Sequence, residues 1–139
     1  MADGCALPFA DHTFDLAFSN SVIEHIPTWE GQVRYSKELR RVGRRYFLQT
    51  PNYWFPIDPH YLFPGFQFLP GPVQRWLHTH FDLGHIRKTG PFEAIRLTTK
   101  SELRRLFPDG RLLPERFGPL VKSWYVVGGH AREAGAEAL

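Results

Sequence analysis

Apolar positions along this chain fall into two alternating periods. Phe14-Asp15-Leu16-Ala17-Phe18-Ser19-Asn20 is an almost continuous apolar run bounded by polar residues, which predicts a strand covered on both faces. Thr28 then stands where a helix can be capped, and Trp29, Val33, Leu39 and Val42 give an imperfect helical stripe. Glu30 in the first turn and Arg40 and Arg41 in the last suit the helix dipole. Gly43 is a natural stop. Arg45 to Thr50, with Tyr46-Phe47-Leu48 inside it, predicts a second strand ended by Pro51-Asn52. Strand, helix and strand with short links predict a βαβ unit, and hence parallel pairing.

Between Tyr53 and Pro91 the texture changes. Prolines at 56, 59, 64, 70 and 72 stand among many aromatics, so regular strands are not expected, although Pro72 to Phe81 predicts a short helix. Thr99 with Glu102 is a capping-box signature, and the helix it opens carries Leu103, Leu106 and Phe107 before Pro108-Asp109-Gly110. Arg111 to Phe117 and Ser123 to Gly128 predict two closing strands, and the link Gly118-Pro119-Leu120 is short enough for an antiparallel pair. The tail from Ala131 is rich in Ala and Glu and is expected to fray. The pattern amounts to one α/β domain over 1–139, with four strands, the last antiparallel, and an aromatic- and proline-rich insert over 53–91.

Composition narrows the class. Hydrophobic content of 42% and charged content of 22% are ordinary for a soluble globular chain of 139 residues. A net charge of +3 does not call for nucleic acid, because the basic residues fall mostly at helical spacing on solvated faces. The single cysteine, Cys5, excludes an intrachain disulfide and a cysteine-based zinc site. No apolar run approaches the roughly 18 residues of a spanning helix, and no basic start leads into an apolar segment, so a cytoplasmic location without a transmembrane segment is expected.

Three short stretches carry a resemblance. Asp3-Gly4-Cys5-Ala6-Leu7-Pro8-Phe9, then Phe14-Asp15, then Ser21-Val22-Ile23-Glu24-His25-Ile26 together resemble the type 11 group of class I S-adenosylmethionine-dependent methyltransferases. The similarity in element order runs over most of the chain. It implies a partial Rossmann-like methyltransferase sheet, its last four strands, with S-adenosylmethionine as cofactor and a small or lipid-linked methyl acceptor. The family's G-x-G-x-G turn and the acidic residue that holds the ribose are not found in these residues. The resemblance is therefore to the C-terminal portion of the domain, and tight cofactor binding by this chain is not expected. A second reading stands beside the enzyme: a truncated, non-catalytic remnant or interaction module that pairs its first strand with a partner.

The candidate site residues follow from that resemblance and from chemistry. Asp3 is matched to the acidic residue that accepts from the adenine amine, with the adjacent Gly4 amide as donor; the alternative is a plain loop aspartate. Asn20, Ser21 and Val22 lie just past the strand's carboxyl end, where ligands collect in doubly wound sheets and where the family binds the methionine part of the cofactor. His25 is the candidate general base, since imidazole titrates near neutrality; the alternative is a Glu24–His25 pair that merely orders the loop. The Glu-x-x-Glu-His magnesium motif of ubiquinone-type O-methyltransferases is broken here by Ser21. The run His78, His80, Asp82, His85 departs from the H-x-H-x-D-H spacing of metallo-β-lactamase-like hydrolases, so no metal site is expected. Tyr53, Trp54, Phe55, Tyr61 and Phe63 form a candidate substrate lid, or else extra core. The first strand, lacking charged residues between Leu16 and Val22, is expected to favour self-association through 14–20, which a lysine at Ala17 or Ser19 would reduce.

Overall fold

The structure is a computed structural model and describes residues 3–83, 91–92 and 94–129. Four strands and three helices follow in the order β1 (Phe14–Asn20), α1 (Trp29–Val42), β2 (Gly43–Pro51), α2 (Gly71–His80), α3 (Lys100–Leu106), β3 (Arg111–Phe117) and β4 (Leu120–Gly129), with short 3-10 turns at Ile23–His25 and Phe66–Phe68. The sheet order is β1-β2-β4-β3. β1 and β2 are parallel, with Leu16 opposite Arg45 and Phe18 opposite Phe47. β4 runs antiparallel to both β2 and β3. The α/β class, the βαβ unit and the antiparallel last strand are as the pattern predicts. The closing strand begins earlier than predicted, because Leu120 already pairs with Phe117.

The helix caps explain where the helices start. The Thr28 side chain accepts from the Gly31 amide, and Thr99 and Glu102 complete both halves of the capping box of α3. Gly43 departs from the expectation. It is not a left-handed cap but extended backbone, the first residue of β2, so α1 passes into β2 without a loop. Glycine is required there for space: a Cβ would lie 2.7 Å from Ala17 Cβ and 2.6 Å from the Arg45 carbonyl oxygen.

One face of the sheet is covered. Leu39 and Val42 of α1, Leu103 and Leu106 of α3 with the adjacent Phe107, and Tyr46, Leu48, Trp124 and Val126 of the strands form its core. The inward face of α1 differs from the predicted stripe. Gln32, Tyr35 and Ser36 are buried, whereas Trp29 and Val33 are only partly so. Polar residues can face inward because partners await them. Tyr35 donates to Ser19 Oγ at 2.8 Å, and Gln32 Nε2 donates to the carbonyls of Ile23 and Arg96. Trp29 instead meets the Arg96 and Arg105 guanidinium groups, 5.3 and 4.9 Å from its ring.

The opposite face is open, although the near-continuous apolar run of β1 is the pattern of a strand covered on both sides. Leu16 and Phe18 are 54% and 66% exposed. Phe18 stacks on Phe47 at 5.3 Å and Phe47 leans on Tyr125 at 5.7 Å, a ring from each of three adjacent strands. Ala17 and Ser19, in contrast, are buried against α1, so a lysine at either would bury a charge rather than guard the edge.

Across the β2–β4 pair Tyr46 stands opposite Gly128. The phenol fills the space a side chain at Gly128 would need, and its hydroxyl donates to Asp109 Oδ2 at 2.9 Å. The insert has a small core of its own, in which Tyr61 stacks on Phe66 at 3.8 Å beside Leu83, with Leu69, Leu77, Phe92 and Ile95 around them.

Candidate functional site

The carboxyl ends of β1 and β2 lie side by side because the strands are parallel and in register to Asn20 and Gln49. Ser21 follows at once in the left-handed region, φ 52°. Its amide donates to the Gln49 carbonyl at 3.1 Å and its hydroxyl to Gln49 Oε1 at 2.9 Å. These bonds hold a conformation that a non-glycine residue rarely adopts, and such strain gathers at functional sites. Of the other two such residues among those described, Leu62, φ 50°, lines the same cleft as Ser21, and His12, φ 54°, does not.

That cleft has a volume of about 500 Å³. Its floor is the strand ends, with Ser21, Gln49, Pro51 and Asn52. The insert supplies Phe55, Ile57, Pro59 and Leu62, and the β3–β4 hairpin supplies Phe117, Lys122 and Ser123. A mostly apolar wall with a few polar groups and one cation is the usual make-up of a small-molecule site.

Behind the cleft the turn Ile23–His25 is locked in place. Gln32 Nε2 donates to the Ile23 carbonyl at 3.0 Å, the Arg96 amide donates to the Glu24 carbonyl at 2.8 Å, and Arg96 also binds Glu102 at 2.6 Å. The Glu24 side chain is 0% exposed, and Thr50 Oγ1 donates to its Oε2 at 3.1 Å. Burial pushes the Glu24 carboxyl up from the ordinary carboxylate range, against the lowering effect of its hydrogen bonds and of His60 and His25. Asp58 and His60 approach from the insert. Asp58 Oδ1 accepts from the His60 amide at 2.7 Å and sits 3.0 Å from His60 Nδ1. The His25 and His60 rings meet edge to face at 5.0 Å.

The predicted site residues divide into groups. Asn20, Ser21 and Val22 are exposed together at the end of β1. Asp3 is exposed on the loop before β1, where Oδ1 accepts the Cys5 amide at 2.9 Å. Gly4 lies against α1, where a Cβ would come 2.9 Å from the Tyr35 ring. The same tyrosine reaches Ser19, so Tyr35 ties the Asp3–Gly4 loop to β1. His25 is exposed and packs on His60 rather than lining the cleft. Of the lid candidates, Phe55 lines the cleft; Tyr53 and Trp54 stand edge to face with each other, Phe63 is exposed, and Tyr61 is buried in the insert's core. In the histidine run, His78 is buried and His85 lies outside the described residues. No helix among the described residues is long and apolar enough to cross a membrane.

Sequence reasoning passed over Asp58, His60, Gln32 and Thr50. Asp58-Pro59-His60 is a polar island in an apolar, proline-rich run, and that contrast was the available signal. Gln32 and Thr50 gave none, because their importance comes from what the fold brings to them.

Residues 1–46 match the family model described as a methyltransferase domain. The uncharacterized protein Rv1509 of Mycobacterium tuberculosis is 40% identical over 57 residues, which is 41% of this chain and 20% of that protein. The chain thus spans about a fifth of the length of the curated relatives it matches. Among solved structures, a SAM-dependent methyltransferase from Methanosarcina mazei is similar with a TM-score of 0.51 at 18% identity, covering 91% of this chain and 63% of that one. The PH0226 protein from Pyrococcus horikoshii is similar with a TM-score of 0.53 at 18% identity, covering 92% and 57%. At these identities the structural likeness concerns the fold.

Proposed function

We propose that this class I methyltransferase-like protein serves methyl transfer from S-adenosylmethionine to a small or lipid-linked acceptor with an apolar body. The observation that carries the reading is the cleft at the carboxyl ends of β1 and β2, walled by Phe55, Ile57, Leu62 and Phe117. Ligands of doubly wound sheets bind at that end.

The residues present fit part of the cofactor. The Asp3 carboxylate is exposed and able to accept from an adenine amine, with the Gly4 amide as the adjacent donor. Asn20, Ser21 and Val22 offer polar groups and backbone at the strand end for the amino-acid portion. S-adenosylmethionine supplies a methyl carbon already activated by its sulfonium. The chain's own part is to orient the acceptor and exclude water with the insert's apolar wall.

The test is formation of S-adenosylhomocysteine at millimolar S-adenosylmethionine, with a panel of apolar hydroxyl, amine and lipid acceptors. Product that falls at least tenfold in Phe55→Ala supports the reading. No product with any acceptor overturns it.

A second reading is favoured by the open side of β1, which among the described residues pairs with β2 alone. As an interaction module the chain would add a partner's strand to that edge.

A further inference from the structure

Glu24 is an expensive residue to bury where it lies. Its Oε2 is satisfied by Thr50, but its Oε1 is buried without a hydrogen-bond partner among the described residues. A buried carboxylate with one oxygen unsatisfied is destabilising unless positive charge reaches it. The atom facing Oε1 is His60 Nε2, at 4.0 Å, too far for a hydrogen bond. The other imidazole nitrogen, Nδ1, stands 3.0 Å from Asp58 Oδ1, and Asp58 is itself buried. If Nδ1–H donates to Asp58, Nε2 is the ring nitrogen that faces Glu24 and can bind a cation. A cation between Glu24 Oε1 and His60 Nε2 would satisfy the buried oxygen. His25 closes the remaining side, and one ligand atom from each of Glu24, His25 and His60 lies within 4.8 Å of the others.

We propose that Glu24, His25 and His60 hold a divalent transition-metal ion of the zinc class. Two imidazoles and one carboxylate suit zinc, cobalt or ferrous iron, whereas magnesium and calcium prefer an all-oxygen shell. Ligand distances of about 2.0–2.2 Å bring donors to about 3–4 Å of one another, so the group contracts by about an ångström on loading. The supporting layer is already built. Asp58 fixes the His60 ring through Nδ1, the carboxylate–histidine arrangement of metal sites, and Thr50 fixes the carboxylate of Glu24. Gln32 and Arg96 hold the backbone of the turn that carries Glu24 and His25. Exposed His25 gives the ion a path from solvent, and three protein donors leave a position for water or a substrate oxygen. An ion here makes His25 a ligand, a role open to it because it packs on His60 and does not line the cleft.

The experiment is titration of the untagged chain with Co²⁺, followed by its visible absorption, then displacement by Zn²⁺ and by Mg²⁺. One equivalent of Co²⁺, displaced by Zn²⁺ and not by Mg²⁺, is expected. Absorption should disappear in His60→Ala and in His25→Ala, and affinity should fall about 10–100-fold in Asp58→Asn. His25 is exposed, so its variant stays folded even where His60→Ala does not; circular dichroism reports which. Absence of a saturable Co²⁺ band, which would mean a proton fills the gap, overturns the proposal. Binding that persists unchanged in His25→Ala and His60→Ala overturns it equally. The readout needs no S-adenosylmethionine, so failure here and failure of methyl transfer are separate results.

Discussion

Arg41 and Glu38, one turn apart on α1, are joined by two hydrogen bonds of 2.8 Å, from Nε to Oε1 and from Nη2 to Oε2. Together they clamp the loop that carries Asp3. Glu38 Oε2 accepts the Leu7 amide at 2.7 Å, and Arg41 Nη1 and Nη2 donate to the Phe9 and Leu7 carbonyls and to Asp11. Bidentate pairs of this kind are among the stronger surface interactions.

The clamp sets a pH dependence. The Arg41 guanidinium holds the Glu38 carboxyl at about 2, down from 4.5. A depressed folded-state value means that folding favours the carboxylate. The stabilisation is therefore complete above about pH 4.5 and is lost as pH falls through about 2. Thermal denaturation should show the wild type more stable than Glu38→Gln at pH 6, with the two converging near pH 2. A gap that stays constant across this range contradicts the assignment.

Arg41→Ala should free the loop before β1 without unfolding the sheet, since the fully buried core comes from α1, α3 and the strands and the loop adds only the partly buried Cys5 and Leu7. Hydrogen exchange at the Leu7 amide is expected to rise at least tenfold, with little change in the amides of β2. Equal loss of protection in β2 would show that the clamp supports the whole fold.

The open side of β1 should drive self-association. Its edge is unpaired among the described residues, and Leu16 and Phe18 add exposed apolar surface beside it. Sedimentation over a concentration series should show association that Phe18→Lys or Leu16→Lys reduces. Ser19→Lys should instead lower the melting temperature, because Ser19 is buried and accepts from Tyr35. A monomer at high concentration, unchanged by Phe18→Lys, would mean that the edge and face are not adhesive.

These 139 residues alone should bind S-adenosylmethionine weakly. They hold no G-x-G-x-G turn, and no carboxylate has been assigned to the ribose. Neutral hydrogen bonds are worth about 0.5–1.5 kcal/mol each and a charged one about 1.5–3, so several missing contacts lower affinity by orders of magnitude. Calorimetry should find no saturable binding in the micromolar range; a micromolar dissociation constant would refute this.

Much of the fold was legible because local signals agreed with one another. The strand at Phe14–Asn20, the Thr28 cap and the Thr99–Glu102 box all lie where the residue pattern puts them. The inward face of α1 was not legible, since Gln32 and Tyr35 face the core only because Ile23, Arg96 and Ser19 supply their partners from elsewhere in the chain. The site was half legible for the same reason. Ser21 and His25 could be read from their place after a strand, but His60 reaches Glu24 from 36 positions away, out of an insert without periodicity.

Gly43→Ala should cost roughly 1–3 kcal/mol, because the added methyl meets Ala17 and the Arg45 carbonyl at a corner with no loop to yield. The urea midpoint should drop while the slope of the transition stays the same.

The pairing of Tyr46 with Gly128 gives the history of this sheet a direction. Because the phenol occupies the room that a side chain at Gly128 would take, the two positions form a single unit of change. Bulk must be given up at Tyr46 before it can be gained at Gly128, and the reverse order passes through an overpacked intermediate. Lineages that carry alanine or larger at the second position should therefore descend from ancestors that had already lost the ring at the first.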